Sequence, residues 1–427
     1  MKRTRIVFGS LAFVLVFVLL ISSFQGMIAG NAENYSGYSL SPVQMINQVH
    51  AIPAAVPLPS VAAQGAILID TNSGDIIFEL NARKRMPMAS TTKIMTAITA
   101  IESGVPLDTI VTITKPMTGA EGSSIYLYEG ERFALHDLIY ALLLNSANDA
   151  AEAIAVSVAG SVEKFADMMN EKVRELGLGD TNFMNPHGLD AELHYTTAYD
   201  LAKISAYALE NEIFLAIAGD QNHVIYPKNP DGTDNKSGAR FLKNHNKMLR
   251  LYKDSIGVKT GFTKRSGRCL VSAAERDGTR LVAVTLNASD DWNDHIEMLN
   301  YGFDNYRMVE LCKEGEYKFE VNIVNGCKIN SAGKKEKKES VNIITCENIQ
   351  TATASLPKEI KREDIKYTIE LPRFVYAPIK KGDIVGKMVF MRGDRIVGYS
   401  AITASEDIYA NAKNSGLLFN RIKIYYV

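Results

Sequence analysis

Three short segments constrain this chain more than anything else in it: Ser90-Thr91-Thr92-Lys93, Ser146-Ala147-Asn148 and Lys259-Thr260-Gly261. Each alone is commonplace, but each falls on a different kind of element. The first opens a run of Lys93, Ile94, Ala97, Ile98 and Ile101, which predicts a helix starting near Ser90 and stopping at Gly104. The second interrupts a helical pattern that holds Leu138, Ile139, Leu142 and Leu143, breaks at Asn145 to Asn148, and resumes over Ala150 to Ala159. The third sits in the strand-like run Ile256 to Phe262. A fold that uses all three must bring a helix start, a break between helices and a strand to one place.

The residue types say what such a place could do. Ser90 and Lys93 are three apart at a helix start, so their side chains share one face. A serine hydroxyl is a weak nucleophile and needs a base within hydrogen-bond reach. The N-terminal end of the helix also favours negative charge on its oxygen. Lys93 can be that base only when neutral, which requires burial or a second cation nearby, and Lys259 is the obvious one. Ser146 can relay a proton, and Asn148 offers an amide donor and acceptor suited to a peptide group. Gly261 lacks a side chain, so a substrate could lie along the strand edge. Strict alternation sets Lys259 and Thr260 on opposite faces, so a twist or bulge is expected if both serve.

The rest of the 427 residues organises around these segments. Lys2, Arg3 and Arg5 precede an apolar stretch from Ile6 to Ile21, shorter than the roughly 20 residues of a membrane span. With Gly30 and Ala32 placed for a cut before Glu33, residues 1–32 read as a secretory signal peptide, the rival being an uncleaved anchor. Residues 33–58 are a Pro-punctuated linker. Ala66 to Asp70 and Ile76 to Leu80 form a hairpin signal, Val162 to Leu176 a helix, and residues beyond it a long polar stretch with Pro186, Pro227 and Pro230. Cys269 to Ala274 and Leu281 to Leu286 are strand-like, and His295 to Met308 reads as a closing helix. The pattern then changes to short alternating runs with turns at Lys381-Gly382-Asp383 and Arg392-Gly393-Asp394, an all-β module. The run Lys334 to Lys338 reads as a solvated hairpin tip. Lys and Arg at 47 balance Asp and Glu at 48, which argues against a nucleic-acid partner. Cys269, Cys312, Cys327 and Cys346 form no C-x-x-C pair and leave three disulfide connectivities, or free thiols, open.

Taken in order, the three segments match the S-x-x-K, S-x-N and K-T-G set of serine β-lactam-recognising enzymes. Beyond them, Met88 to Lys93, Ser146 to Ala150, Asn185-Pro186-His187-Gly188-Leu189 and Gly257 to Thr263 resemble blocks of the low-molecular-mass penicillin-binding proteins. Those proteins act as serine-type D-alanyl-D-alanine carboxypeptidases. Lys381 to Gly386 is similar to part of their C-terminal β domain. The resemblance implies an α/β (α+β) catalytic domain at 59–310, an antiparallel sheet flanked by helices with a helical subdomain. A small all-β domain at 311–405 and a tail at 406–427 would follow. It implies removal of the terminal D-alanine from peptidoglycan stem pentapeptides, acylation by β-lactams, and export across the bacterial cytoplasmic membrane with membrane association. By the same resemblance Ser90 is the nucleophile, Lys93 the base, and Ser146 the proton relay, while Lys259 supplies positive field. The N–H groups of Ser90 and Phe262 form the oxyanion hole, and Asn148, Gly261, Thr260 and Thr263 line the substrate site. No metal or cofactor is required, since nucleophile, base and oxyanion donors are protein groups.

Two departures from that family stand out. Its members often carry an Arg before the closing helix for the substrate carboxylate; here Asn287 to His295 contains none, leaving the threonines, Arg265 or Arg268. The final stretch Leu417 to Val427 alternates as a strand would as much as it suggests a membrane-surface anchor helix. Among rivals, a class A β-lactamase lacks its Glu-x-x-Leu-Asn segment here, and the pair His187 and His194 fits no H-E-x-x-H zinc site. These histidines are expected to shape a loop beside the cleft. A non-catalytic wall-binding protein would not need both lysines.

Overall fold

The computed structural model describes residues 57–330 and 337–411. The expected signal peptide, nearly all of the linker, the centre of the Lys/Glu run and the last residues of the tail lie outside them. The chain enters β1 (Ala63–Asp70) and turns back through β2 (Ile76–Leu80). A turn of 3-10 helix, Ala89–Thr92, leads into α1 (Lys93–Ile101), so Ser90 precedes the α-helix proper by a few residues. A small hairpin, β3 (Ile110–Thr112) with β4 (Arg132–Ala134), brackets a long loop. The helical subdomain follows as α2 (Leu135–Leu144), α3 (Asn148–Ala159) and α4 (Val162–Glu175). Ser161 caps α4 by accepting from the Lys164 N–H, and α3 ends on Gly160, whose φ of 83° suits a residue without Cβ.

The polar stretch after α4 holds more structure than its composition suggests. It contains α5 (Ala198–Ala208), α6 (Glu212–Gly219) and a hairpin of β5 (Asn222–Ile225) with β6 (Arg240–Lys243). Thr197 caps α5 through the Asp200 N–H, and Asn211 caps α6 through the Ile213 and Phe214 N–H groups. Then come β7 (Ser255–Thr263), β8 (Gly267–Arg276) and β9 (Thr279–Ala288). The closing helix α7 spans Asp291–Asn305, beginning before His295 and ending where Tyr306 turns into the next strand.

The main sheet is antiparallel with order β2-β1-β9-β8-β7, which leaves β7 on an edge. Its strands read as continuous apolar runs because both faces are covered. Ile67, Ile69, Val271, Val282 and Val284 pack with Ile94, Ile98 and Leu142 of the helical side. Their alternate neighbours Ala66, Leu68, Leu270, Leu281 and Ala283 pack with Met298 and Leu299 of α7. One set of helices thus lies across from α7, and the site forms where β7 meets the helical side.

The remainder is all β, as the alternation predicts. β10 (Tyr306–Cys312) pairs with β13 (Ala352–Pro357), and β11 (Lys318–Asn330) pairs with β12 (Lys337–Asn348). With β14 (Lys366–Glu370), β15 (Phe374–Tyr376), β16 (Ile384–Arg392), β17 (Arg395–Ala404) and β18 (Tyr409–Ala410), these close around Leu311, Ile344, Met388, Phe390 and Ile402. Gly393 and Asp394 make the β16–β17 turn. Arg395 at the start of β17 reaches the β1–β2 turn, pairing with the buried Asp75 and donating to the Ser73 carbonyl at 2.7 Å. All four cysteines are free and buried.

Candidate active site

The 3-10 turn and α1 set Ser90 and Lys93 on one face, with the Lys93 Nζ 3.0 Å from the Ser90 Oγ. Lys93 is fully buried, and its amine also meets the Asn148 Oδ1 at 2.7 Å and the His187 carbonyl at 2.5 Å. Burial pushes its pKa well below the ordinary lysine value; the charge of Lys259 pushes it further, and Asp149 opposes both. Burial beside Lys259, more than the three partners, favours the neutral amine, and the partners can accommodate it. Asn148 Oδ1 and the His187 carbonyl can only accept, so the two N–H bonds of an amine point to them and its lone pair is left for Ser90.

Ser146 lies in the break between α2 and α3, where its φ of 57° is costly for a residue with a Cβ. Its Oγ meets the Lys259 Nζ at 3.0 Å, and that amine also donates to the Thr260 carbonyl at 3.0 Å. Burial lowers the Lys259 pKa to about 7. Asn148 opens α3, and its Nδ2 donates to the Glu121 carbonyl at 2.5 Å. The amide therefore already bridges Lys93 and the 119–128 loop, leaving one N–H for another partner.

The edge strand β7 runs past the Ser90 turn. Its register from Val258 to Thr263 is regular, so no bulge separates Lys259 from Thr260. Lys259, Gly261 and Thr263 share one face; Thr260 and the exposed Phe262 take the other. Gly261 has a different job from the one expected of a bare strand edge. A Cβ there would stand 3.0 Å from the Ser90 nitrogen and 3.0 Å from the Met88 carbonyl oxygen, so its lack of a side chain lets β7 press on the nucleophile's turn. The Thr263 hydroxyl meets Ser266 at 3.0 Å and Asp190 at 3.1 Å. Arg268 is paired with the buried Asp291, while Arg265 lies near the Ala191 carbonyl at 3.5 Å.

The histidines belong to the wall. The His194 Nδ1 accepts from the Met184 N–H at 3.0 Å, so its Nε2 carries the proton toward the Thr92 Oγ, 2.8 Å away. Burial, with Lys93 adding to it, lowers its pKa to about 4. The His187 Nδ1 accepts from Leu189 at 3.1 Å. Gly188 follows with φ 89°, and a Cβ on it would fall 2.0 Å from the Ala89 carbonyl oxygen. Ala89 itself holds φ 48°.

Sequence reasoning passed over Asp149. Its buried carboxylate accepts from the Ser124 hydroxyl at 2.7 Å and from the N–H groups of Ile125, Leu127 and Ala150 at 3.2, 3.0 and 2.9 Å. It stands beside Asn148 in the sequence, but nothing local marks its partners, which sit in a distant loop.

Residues 52–290 match the peptidase family described as D-alanyl-D-alanine carboxypeptidase. The chain belongs to that family. Residues 322–410 match the C-terminal domain of penicillin-binding protein 5, which accounts for the all-β module. The D-alanyl-D-alanine carboxypeptidase DacF of Bacillus subtilis is 30% identical over 81% of this chain and 86% of its own length. DacC of Escherichia coli is 30% identical over 84% of this chain and 87% of its own. Among solved structures, penicillin-binding protein 5 of Haemophilus influenzae superposes with a TM-score of 0.63 at 26% identity, covering 83% of this chain and all of that one. The protein is thus a serine-type D-alanyl-D-alanine carboxypeptidase with the two-part architecture of penicillin-binding protein 5, a hydrolase of peptidoglycan stem peptides that β-lactams acylate.

Proposed function

We propose that Ser90, Lys93, Ser146 and Lys259 carry the carboxypeptidase reaction as follows. Lys93, neutral, takes the Ser90 hydroxyl proton as Oγ attacks the carbonyl between the two D-alanines, forming the new C–O bond. The N–H groups of Ser90 and Phe262 receive the developing oxyanion, which is typically the largest single electrostatic contribution in such chemistry. Ser146 passes a proton to the departing D-alanine nitrogen as the C–N bond breaks, and water then hydrolyses the acyl-enzyme. Lys259 keeps the site positive for the anionic substrate. The free N–H of Asn148 meets the peptide carbonyl, with Gly261 keeping the strand close. Thr263 and Arg265 are the groups for the terminal carboxylate; Thr260, on the other face of a regular strand, would join them only through a twist of β7, and Arg268 is less suited, being neutralised by Asp291.

One observation carries this reading: a fully buried lysine amine held between two pure acceptors and the Ser90 hydroxyl. The test is D-alanine release from a peptide ending in D-Ala-D-Ala, with and without penicillin. Ser90→Ala should abolish release and covalent penicillin labelling in a folded protein. Lys93→Ala should slow acylation by the roughly 10²–10⁴ that a positioned base contributes. A Ser90→Ala protein that still labels would refute the nucleophile assignment.

The cellular setting belongs to the same proposal. Residues 1–32 act as a secretion signal, 59–310 as the catalytic domain and 311–405 as the β domain, so the enzyme works outside the cytoplasmic membrane and against its surface. Among the described residues no helix is long and apolar enough to cross a membrane. Export is tested by fractionating cells that express the full chain.

A further inference from the structure

The loop between β3 and β4 presents one tyrosine in an unusual way. Tyr126 holds φ 58°, a conformation unfavourable for a side chain of its size, yet the residue is 74% exposed. Nothing about packing that ring explains the strain, because the ring is hardly packed. The backbone is instead clamped group by group. Asp149 accepts from the N–H groups of Ile125 and Leu127, and the Ser124 hydroxyl, itself bound to Asp149, accepts from the Tyr126 N–H at 2.8 Å. From the other side Arg240 donates to the carbonyls of Ile125 at 3.0 Å and Tyr126 at 3.2 Å, and its charge is balanced by Glu131 at 2.7 Å. A buried carboxylate and a guanidinium therefore hold a strained residue so that an aromatic ring stays in the open. Strain fixed by its surroundings in this way points to a use for the residue that bears it.

The place of the ring suggests the use. Tyr126 and Tyr128 border a pocket of about 270 Å³ whose wall includes Gly122, Ser124 and Asp149. The same loop accepts the Asn148 Nδ2 at its Glu121 carbonyl and the Asn148 N–H at its Ser123 carbonyl, 2.7 Å away. Since Asn148 touches Lys93, the loop that walls the pocket is one side chain from the base. That loop is tied to Asn148, whereas the groups available for the terminal carboxylate, Thr263 and Arg265, lie at the end of β7 and in the turn after it.

We propose that Tyr126 and the pocket beside it form a subsite for the stem peptide upstream of the penultimate D-alanine, with the ring as its platform. This rests on the carboxypeptidase reading given above. A tyrosine suits such a role because it brings a large flat surface with little freedom to lose and can lie against peptide planes and aliphatic stems alike.

The experiment compares kcat/KM for a pentapeptide stem with that for the N-acetylated dipeptide, both ending in D-Ala-D-Ala, in wild type, Tyr126→Gly and Tyr126→Phe. Glycine removes the ring and relieves the strained φ, so the loop should fold at least as well, which thermal unfolding checks. The pentapeptide-to-dipeptide ratio should fall about tenfold in Tyr126→Gly, mainly through KM, and return in Tyr126→Phe. A ratio equal to wild type in Tyr126→Gly, or equal losses on both peptides, would overturn the subsite. Wild type that releases D-alanine from neither peptide would overturn the carboxypeptidase reading itself, a result distinct from the other two.

Discussion

Two lysine amines set the chemistry at the scale of single residues, and they titrate differently. Lys93 is depressed by burial and by Lys259; Lys259 is depressed by burial alone, to about 7. The competent free enzyme has Lys93 neutral and Lys259 charged. Raising the pH therefore gains activity on the acid side as Lys93 loses its proton. It costs activity as Lys259 loses its own, so kcat/KM for D-alanine release should fall as pH climbs through about 7. A profile flat to pH 9 would remove the Lys259 charge from the reaction. The same burial has a stability cost of definite sign. The unfolded chain holds a proton on Lys259 up to about 10.5 and the folded chain only to about 7, so protonation favours unfolding across that interval. Lys259→Met should thus abolish turnover while raising stability near neutral pH, as a strained functional site implies. Denaturant titration of the folded variant measures it.

Between elements, the nucleophile's turn is pressed from two sides by backbone. Gly188 of the loop that supplies the His187 carbonyl approaches Met88 to Ser90 at a distance a side chain would not allow, and Gly261 of β7 at one that a side chain would meet only if the turn gave way slightly. Gly188→Ala combines a φ of 89° with a Cβ 2.0 Å from the Ala89 carbonyl oxygen, so the turn must shift. A displacement of about 1 Å costs on the order of 10²-fold, and acylation by penicillin should slow by that much with circular dichroism unchanged. Wild-type acylation would mean that the turn tolerates the shift. The elements show what a sequence reveals and what it hides. The doubly covered strands of the main sheet and the helices around Lys93 and Leu142 were legible because their apolar residues repeat strongly. α5 and α6 were not, since they fall inside a stretch bounded by prolines and rich in polar residues that reads as loop; their caps, Thr197 and Asn211, were the available signal. The residues of the three segments could be picked out because their chemistry lies in their own side chains. Asp149 could not, because its work is done on loop groups 22 to 25 residues away.

For the molecule as a whole, the open question of mechanics is what holds the β module to the catalytic part, and one charged contact has the right character. Arg395, 9% exposed, meets Asp75, 1% exposed, at the β1–β2 turn, and also holds the Ser73 carbonyl. Asp70 lies beside them, its carboxylate receiving the N–H groups of Asn72 at 2.8 Å and Ser73 at 2.9 Å, with its pKa raised chiefly by burial. A buried pair of this kind adds little net stability, since desolvation offsets most of the attraction, but breaking it strands a charge. Arg395→Met should therefore cost about 3–5 kcal/mol, whereas the double variant Asp75→Asn with Arg395→Met, which removes both charges, should cost much less. Guanidinium titrations of the wild type, the two single variants and the double variant measure the difference as a coupling energy. A large coupling means that the module is registered on the catalytic part through this contact. Additive losses would mean that Arg395 acts through the Ser73 carbonyl and its own packing, and that the apolar contacts between the two parts carry their attachment.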